Sequence, residues 1–159
     1  MNYYTLSESS KYKHIIWDWN GTLLNDGWLF VDVMNTILRH RKMKTITLEK
    51  YRKIFGFPVK DYYIKLGFDL EKESFEECGL EFIKEYKNRR HEAELYPEAT
   101  NLLTKLNAAK ISHSILSAQN EETLHDVAKH YNMSKYFINM VGLNNRYAHG
   151  KIDAGMSLI

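Results

Sequence analysis

Three residues that could bind or attack an anion follow short apolar runs of the sequence. Asp18 directly follows "HIIW", Ser117 follows residues 111–116, and Lys151 lies in the loop beyond a third run, "FINMVGL". A carboxylate can act as a nucleophile, a hydroxyl can donate a hydrogen bond to a phosphate oxygen, and an ammonium can offset negative charge. Together these residue types predict a site that handles a phosphoryl group.

A phosphate group beside Asp18 would bring two negative charges together, so the site needs positive charge or hydrogen-bond donors, some of which the segment "NGTL" after Trp19 could supply. A divalent cation between Asp18 and the phosphate would remove their repulsion, and Mg²⁺ prefers carboxylate, carbonyl and water oxygens. Backbone amides around Gly21 and Thr22 could add donors, because glycine allows a tight turn and a close backbone approach. These features predict Mg²⁺ as the cofactor.

Each of these residues has a simpler explanation when it is considered alone. Asn-Gly between apolar flanks is a strong hairpin signal, in which case Asp18 would merely be solvated. Ser117 could be a turn residue at a strand end, and Lys151 could be an ordinary surface lysine. Their placement after three successive apolar runs favours a common site over independent accidents.

The elements expected between residues 27 and 93 are all helical. Ser74 and Glu77 fit a capping box that opens the last of these helices. The pattern predicts a helix from Trp28 to about Arg41, two short helices separated by Gly56 and Pro58, and a helix that runs to about His91 with Phe75, Leu80, Ile83 and Tyr86 as candidate buried residues.

Helices and strands alternate from residue 94 onward. Pro97 suits the first turn of a helix, residues 111–116 form a strand, Asn120 can cap a second helix, and residues 137–143 form a further strand. The expected apolar faces of the two helices consist of Leu102, Leu103 and Leu106, and of Leu124, Val127, Ala128 and Tyr131.

This order predicts an α/β fold, a doubly wound, Rossmann-like parallel sheet core with an inserted all-helical domain. The core would comprise residues 1–26 and 94–159, and the helical insertion residues 27–93. Sheets of this kind bind ligands beyond the carboxyl ends of their strands, where Asp18, Ser117 and Lys151 are expected to meet.

The composition excludes several classes of protein. The 159 residues are 44% hydrophobic and 26% charged, which is an ordinary globular balance. A net charge of +2, with lysines and arginines spread along the chain, argues against a nucleic-acid partner. No run approaches the roughly 18 apolar residues of a membrane span, and the polar N-terminus is unlike an export signal. Cys78 is the only cysteine, so we expect a cytoplasmic protein without disulfides.

The order of these motifs resembles the haloacid dehalogenase superfamily, which consists mostly of Mg²⁺-dependent phosphatases. The residues that carry the resemblance are the "hhhhDxNGTL" pattern around Asp18, a strand that ends in Ser117, and Lys151. The insertion is similar to the helical cap that follows the family's first motif. "YRKIFGFPVKDYY" and "LYPEATNLLTKL" resemble phosphoglycolate phosphatase-like members in particular.

The resemblance implies a role for each candidate residue. Asp18 would form an aspartyl-phosphate, Ser117 and the backbone amide of Ala118 would hold phosphate oxygens, and Lys151 would neutralise charge. The backbone carbonyl of Asn20 would bind Mg²⁺ together with Asp18.

The sequence departs from the family pattern at Asn20. The family's phosphatases usually carry a second aspartate there, which protonates the leaving group and later activates water. An amide has no comparable proton to exchange, so Asn20 predicts a slowed phosphatase or a long-lived phospho-enzyme. His149 and Asp26 are conceivable substitutes for the missing acid.

A second departure concerns the C-terminal part of the core. Family members continue into a strand with an acidic fourth motif, whereas this sequence ends inside an expected helix that opens at Asp153 and carries Met156 and Ile159 on one face. We therefore expect either a fragment of a longer protein or an incomplete core with poor metal affinity. A missing strand would leave an unpaired edge and favour self-association.

The sequence thus predicts a Mg²⁺-dependent hydrolase of a small phosphomonoester, with phosphoglycolate as the nearest substrate. The alternative is a non-catalytic or truncated member that binds a phosphorylated ligand or a protein partner. Dehalogenation of a small haloacid at Asp18 ranks last.

Overall fold

The computed structural model describes residues 12–143 and Gly155. The chain divides into two compact units, one formed by residues 1–24 and 95–159 and the other by residues 25–94. The predicted boundaries differ from these by one or two residues. Lys151, His149 and the expected helix from Asp153 to Ile159 lie outside the described residues, apart from Gly155.

The described residues contain five strands and six α-helices. The strands are β1 (His14–Trp17), β2 (Leu24–Asn25), β3 (Glu94–Leu95), β4 (Ser112–Asn120) and β5 (Asn139–Leu143). The helices are α1 (Gly27–His40), α2 (Leu48–Ile54), α3 (Val59–Leu66), α4 (Phe75–Arg89), α5 (Ala99–Ala108) and α6 (Glu121–His130).

A parallel three-stranded sheet with the order β1-β4-β5 forms the centre of the first unit. Ile15 pairs with His113, and Ile115 pairs with Met140. β2 and β3 form a separate two-stranded sheet. Because β1 pairs in parallel with β4, about a hundred residues further along the chain, the hairpin explanation of Asn-Gly is wrong, and the predicted α/β fold with a parallel sheet is confirmed.

β4 is longer than predicted. It continues beyond residue 116 to Asn120, so Ser117 lies within the strand and not after it. The register between β4 and β5 changes between Leu116 and Asn120, and Asn120 pairs with Leu143. This irregular pairing extends the strand past the apolar run that marked its expected end.

The helices of the first unit bury most of the faces that the sequence predicts. The Asn120 side chain accepts from the Thr123 amide at 3.2 Å, and Leu124, Val127 and Ala128 are buried on α6. On α5 the buried face consists of Ala99, Leu103 and Leu106. Leu102 was expected in this face, but it is 40% exposed because it lies about 100° around the helix from Leu103.

The second unit consists of α1 to α4. Ser74 and Glu77 form the predicted capping box, with the Ser74 amide 2.9 Å from Glu77 Oε2 and the Glu77 amide 3.3 Å from Ser74 Oγ. The predictions of Leu80 and Ile83 as buried residues of α4 are wrong, since each is 45% exposed.

The inward face of α4 instead follows Cys78, Phe82 and Tyr86. Phe82 and Tyr86 lie with their rings 5.4 and 4.8 Å from the ring of Phe30 on α1. α4 carries apolar residues on more than one side, and the aromatic contact with α1 selects the side that is buried.

An ion-pair cluster joins the end of α1 to α4 within the same unit. Arg41 donates to Glu73 and to Glu81, which raises the pKa of Arg41 and lowers that of Glu73.

Within the residues the structure describes, none of the helices is both long and apolar enough to cross a membrane.

Candidate active site

Asp18 leaves the sheet at the carboxyl end of β1 and is exposed. Thr22 Oγ1 lies 3.5 Å from Asp18 Oδ2, which is at the limit of a hydrogen bond. The chain then makes a tight turn, because the Trp19 carbonyl accepts from the amides of Leu23 and Leu24 at 3.0 Å. Asp18 is therefore held on a compact turn at the edge of the parallel sheet.

The turn uses the backbone amides that were expected to bind phosphate. The Gly21 amide donates to the Leu24 carbonyl at 2.8 Å, and the Thr22 amide donates to the Trp19 carbonyl at 3.2 Å. Gly21 has φ +71°, a left-handed conformation that suits glycine. An anion at this turn would have to share these donors with the two carbonyls, and their role in phosphate binding stays a prediction.

Asn20 connects this turn to β4. Ser117 Oγ donates to Asn20 Oδ1 at 3.2 Å, so two residues that are 97 positions apart meet at the carboxyl side of adjacent strands. Ser117 is 1% exposed, and Ala118, beside it, is half-buried. The structure thus brings together the Asp18 turn and Ser117.

The Ser117 hydroxyl has a second partner that the sequence analysis missed. The backbone amide of Gln119 donates to Ser117 Oγ at 3.1 Å. This is the short-range pattern in which a serine oxygen accepts from the amide two residues later, and serine is one of the residue types that form it. The Gln119 amide therefore helps to hold the Ser117 oxygen in place.

β5 approaches the same end of β4 very closely at Gly142. The Gly142 amide donates to Glu121 Oε2 at 3.3 Å. A Cβ atom at Gly142 would lie 2.5 Å from Glu121 Cα and 2.7 Å from the Gln119 carbonyl oxygen. Glycine is required here, because any side chain would displace the backbone next to Ser117.

The two candidates for the missing acid differ in position. His149 lies outside the described residues, as does Lys151, which was predicted to offset the phosphate charge. Asp26 is 1% exposed in the helical unit, where Tyr86 Oη donates to Asp26 Oδ2 at 3.1 Å. This contact favours a structural role for Asp26.

A fully buried histidine lies on β4 four residues before Ser117. Trp17 Nε1 donates to His113 Nδ1 at 3.2 Å, which requires the neutral imidazole with its hydrogen on Nε2. Burial lowers the pKa of His113, and the neighbouring His14 lowers it further. His113 is therefore an uncharged part of the sheet core.

The donors available for a metal ion are few but suitable in type. The described residues contain no group of three or more histidine, cysteine, aspartate and glutamate side chains that could hold a metal. The Asp18 carboxylate and the Asn20 backbone carbonyl are hard oxygen donors, and Mg²⁺ usually retains several waters beside one or two protein ligands. The residues present therefore fit a Mg²⁺ ion.

Comparisons with known proteins agree with this architecture. A family model described as haloacid dehalogenase-like hydrolase matches residues 15–151. No curated protein sequence matches significantly.

Several solved structures share the fold at low sequence identity. The protein tyrosine kinase A of Mycobacterium tuberculosis matches with a TM-score of 0.78 at 20% identity, over 92% of this chain and 67% of that protein. A haloacid dehalogenase-like hydrolase from Streptococcus pneumoniae gives 0.76 at 19%, over 94% and 71%. A predicted phosphoglycolate phosphatase from Haemophilus somnus gives 0.69 at 16%, over 86% and 66%.

The chain therefore spans about two thirds of the length of these proteins, and at these identities the likeness shows the fold alone. The family model extends over most of the chain and includes Asp18, Asn20 and Ser117. The chain accordingly belongs to the haloacid dehalogenase-like hydrolases, a family of hydrolytic enzymes.

Proposed function

We propose that the chain is a Mg²⁺-dependent phosphatase that hydrolyses a small phosphomonoester through an aspartyl-phosphate on Asp18. The observation that carries this proposal is the hydrogen bond between Ser117 and Asn20, because it holds the turn of Asp18 beside a buried hydroxyl at one edge of the sheet. A nucleophile and a hydrogen-bond donor on neighbouring strands are the parts that phosphoryl transfer requires.

In the first step an Asp18 oxygen attacks phosphorus, and the bond from phosphorus to the ester oxygen breaks with its electron pair passing to that oxygen. The alkoxide takes a proton from solvent water. In the second step water attacks the phosphorus of the aspartyl-phosphate, and the bond from phosphorus to the Asp18 oxygen breaks with its electron pair passing to the carboxylate. Orthophosphate leaves and a proton returns to solvent.

The other residues bind and orient the phosphate in this proposal. Ser117 and the amide of Ala118 hold its oxygens, with the amides near Gly21 and Thr22 as further donors, and Lys151 offsets its charge. Asp18 and the Asn20 carbonyl would hold Mg²⁺, which when bound would neutralise part of the phosphoryl charge.

Asn20 sets the expected rate. Its amide cannot deliver a proton to the leaving oxygen, and general acid-base catalysis typically contributes about 10²- to 10⁴-fold. We therefore expect slow turnover and accumulation of the aspartyl-phosphate.

The substrate is proposed to be a small phosphorylated metabolite of the phosphoglycolate type, in a cytoplasmic setting. Support comes from the fold shared with a predicted phosphoglycolate phosphatase and from the single cysteine of the chain. The helical unit would govern access of the substrate, a role that mobile lids fill in many enzymes.

The decisive experiment measures hydrolysis of p-nitrophenyl phosphate with and without Mg²⁺. Asp18→Asn should abolish the Mg²⁺-dependent rate, whereas Asp61→Asn, which alters an exposed aspartate of α3, should leave it unchanged. Equal rates for the native chain and Asp18→Asn would refute the proposal.

A second candidate, a member of the fold that binds a phosphorylated ligand or a protein without turnover, is favoured by Asn20 itself. It predicts thermal stabilisation by a phosphate ester with no release of p-nitrophenol over hours. A measurable Mg²⁺-dependent rate that requires Asp18 would exclude it.

A further inference from the structure

We propose that Asn20 is a positioning residue that competes with bound phosphate for the hydrogen of the Ser117 hydroxyl. This inference rests on the proposed function, since it assumes that Ser117 contacts the phosphate. It concerns the side-chain carbonyl of Asn20, whereas the proposed Mg²⁺ ligand is the backbone carbonyl of the same residue.

The Ser117 hydroxyl can form only a limited number of hydrogen bonds. A serine hydroxyl has one hydrogen to donate and two lone pairs that accept. Ser117 gives its hydrogen to Asn20 Oδ1 at 3.2 Å, and one lone pair accepts from the Gln119 amide at 3.1 Å. The hydroxyl has therefore used its only donor before any ligand arrives.

A phosphomonoester dianion can only accept hydrogen bonds, and the unprotonated oxygens of orthophosphate do the same. Ser117 must consequently turn its hydrogen from Asn20 to the phosphate when the anion binds. Ser117 is 1% exposed, so solvent does not readily supply its hydroxyl with a replacement partner during this exchange. Binding thus gives up the part-buried hydrogen bond to Asn20 for the one that Ser117 forms with the anion.

The neutral side-chain amide of Asn20 competes with phosphate for the Ser117 hydrogen only moderately. An ionised carboxylate at the same place would accept from Ser117 about twice as strongly, because one partner would be charged. A residue without an acceptor would release the hydroxyl. The side chain of Asn20 therefore sets the phosphate affinity of Ser117 between these two limits.

The test measures the dissociation constant of orthophosphate in the presence of Mg²⁺ by isothermal titration calorimetry. Asn20→Ala keeps the backbone carbonyl and should tighten orthophosphate binding about three- to tenfold, the worth of one neutral hydrogen bond. Asn20→Leu, which retains more of the side-chain volume, should do the same if the smaller alanine disturbs the turn.

A double-mutant cycle separates competition from a general structural effect. Ser117→Ala should weaken orthophosphate binding, and Asn20→Ala should have no effect on affinity in the Ser117→Ala background. Ser112→Ala is the matched control, because Ser112 lies at the other end of β4 with its hydroxyl 2.7 Å from His14 Nδ1, and orthophosphate affinity should not change.

The outcomes distinguish this inference from the proposed function. If Ser117→Ala does not weaken orthophosphate binding, or if the native chain binds none, the phosphate site itself is wrong and the inference fails with it. If Ser117→Ala weakens binding but Asn20→Ala and Asn20→Leu do not tighten it, or tighten it equally in both backgrounds, only the inference is overturned.

Discussion

At the scale of single residues, the side chain of Asn20 is expected to affect phosphate binding and catalytic turnover in opposite directions. Asn20→Asp supplies a group that can exchange a proton, so the Mg²⁺-dependent kcat for p-nitrophenyl phosphate should rise by up to about 10²- to 10⁴-fold. The new carboxylate would also accept more strongly from Ser117, and KM should rise.

Asn101→Asp is the control for this change, because Asn101 is an exposed residue of α5. It should alter neither constant. An unchanged kcat in Asn20→Asp would mean that proton transfer at this position does not limit the reaction.

His113 makes the folded state sensitive to acid. Its pKa lies below the ordinary value of 6.5, mainly because the imidazole is buried. Below about pH 6.5 the unfolded chain binds a proton that the folded chain resists, so stability decreases as the pH falls. The free energy of unfolding in urea should decline from pH 7 to pH 5 with a slope of at most about 1.4 kcal/mol per pH unit from this residue.

His113→Asn keeps an acceptor for Trp17 Nε1 and cannot titrate in this range, so it should flatten the decline. Asn101→Ala changes an exposed, uncharged residue of α5 and should retain the native slope. Parallel slopes for all three proteins would assign the acid sensitivity to other groups.

At the scale of the elements, Gly142 and Gly79 should respond to alanine in opposite directions. Gly142→Ala places a methyl group against Glu121 and Gln119, and we expect a loss of about 1–3 kcal/mol of stability. Gly79→Ala has open space within α4 and should stabilise by about 0.5–1 kcal/mol. Urea denaturation measures both changes.

The backbone displacement caused by Gly142→Ala should also affect the proposed phosphate site at Ser117. Because the Gln119 amide helps to hold the Ser117 oxygen in place, Gly142→Ala should weaken orthophosphate binding, and Gly79→Ala should not. If Gly142→Ala keeps the native stability and the native orthophosphate affinity, β5 accommodates the methyl group without disturbing β4, and the prediction is wrong.

The elements also show how far the sequence could be interpreted. The capping box at Ser74 and the cap at Asn120 were predictable, because both depend on residues within three positions. The orientation of α4 was not, because it depends on a contact with Phe30 far away in the sequence. The same limit applies to the site: Asp18 could be located from its strand, but the pairing of Asn20 with Ser117 depends on the register between β1 and β4.

At the scale of the whole molecule, each unit has a hydrophobic core of its own. Leu103, Ile115 and Leu124 are fully buried in the first unit, and Leu29, Ile37 and Cys78 in the second. Chains with separate cores often unfold in more than one step. Hydrogen exchange followed by mass spectrometry should therefore detect two opening energies.

Ser74→Ala tests this expectation, because it removes the capping box of α4 at a cost of about 1 kcal/mol. Exchange should accelerate in peptides from residues 48–89 and stay unchanged in peptides from residues 112–117. Equal acceleration in both sets would show that the units open as one.

The burial of Cys78, the only cysteine of the chain, makes its thiol a reporter of local opening. Burial is the main reason that its pKa is raised, to about 11, and the side chain is inaccessible on α4. At pH 8 the buried thiol is therefore in the reactive thiolate form far less often than an exposed cysteine is. The rate at which a chromogenic disulfide reagent modifies Cys78 should consequently report how often α4 opens locally. The absorbance change would measure that opening without any added label.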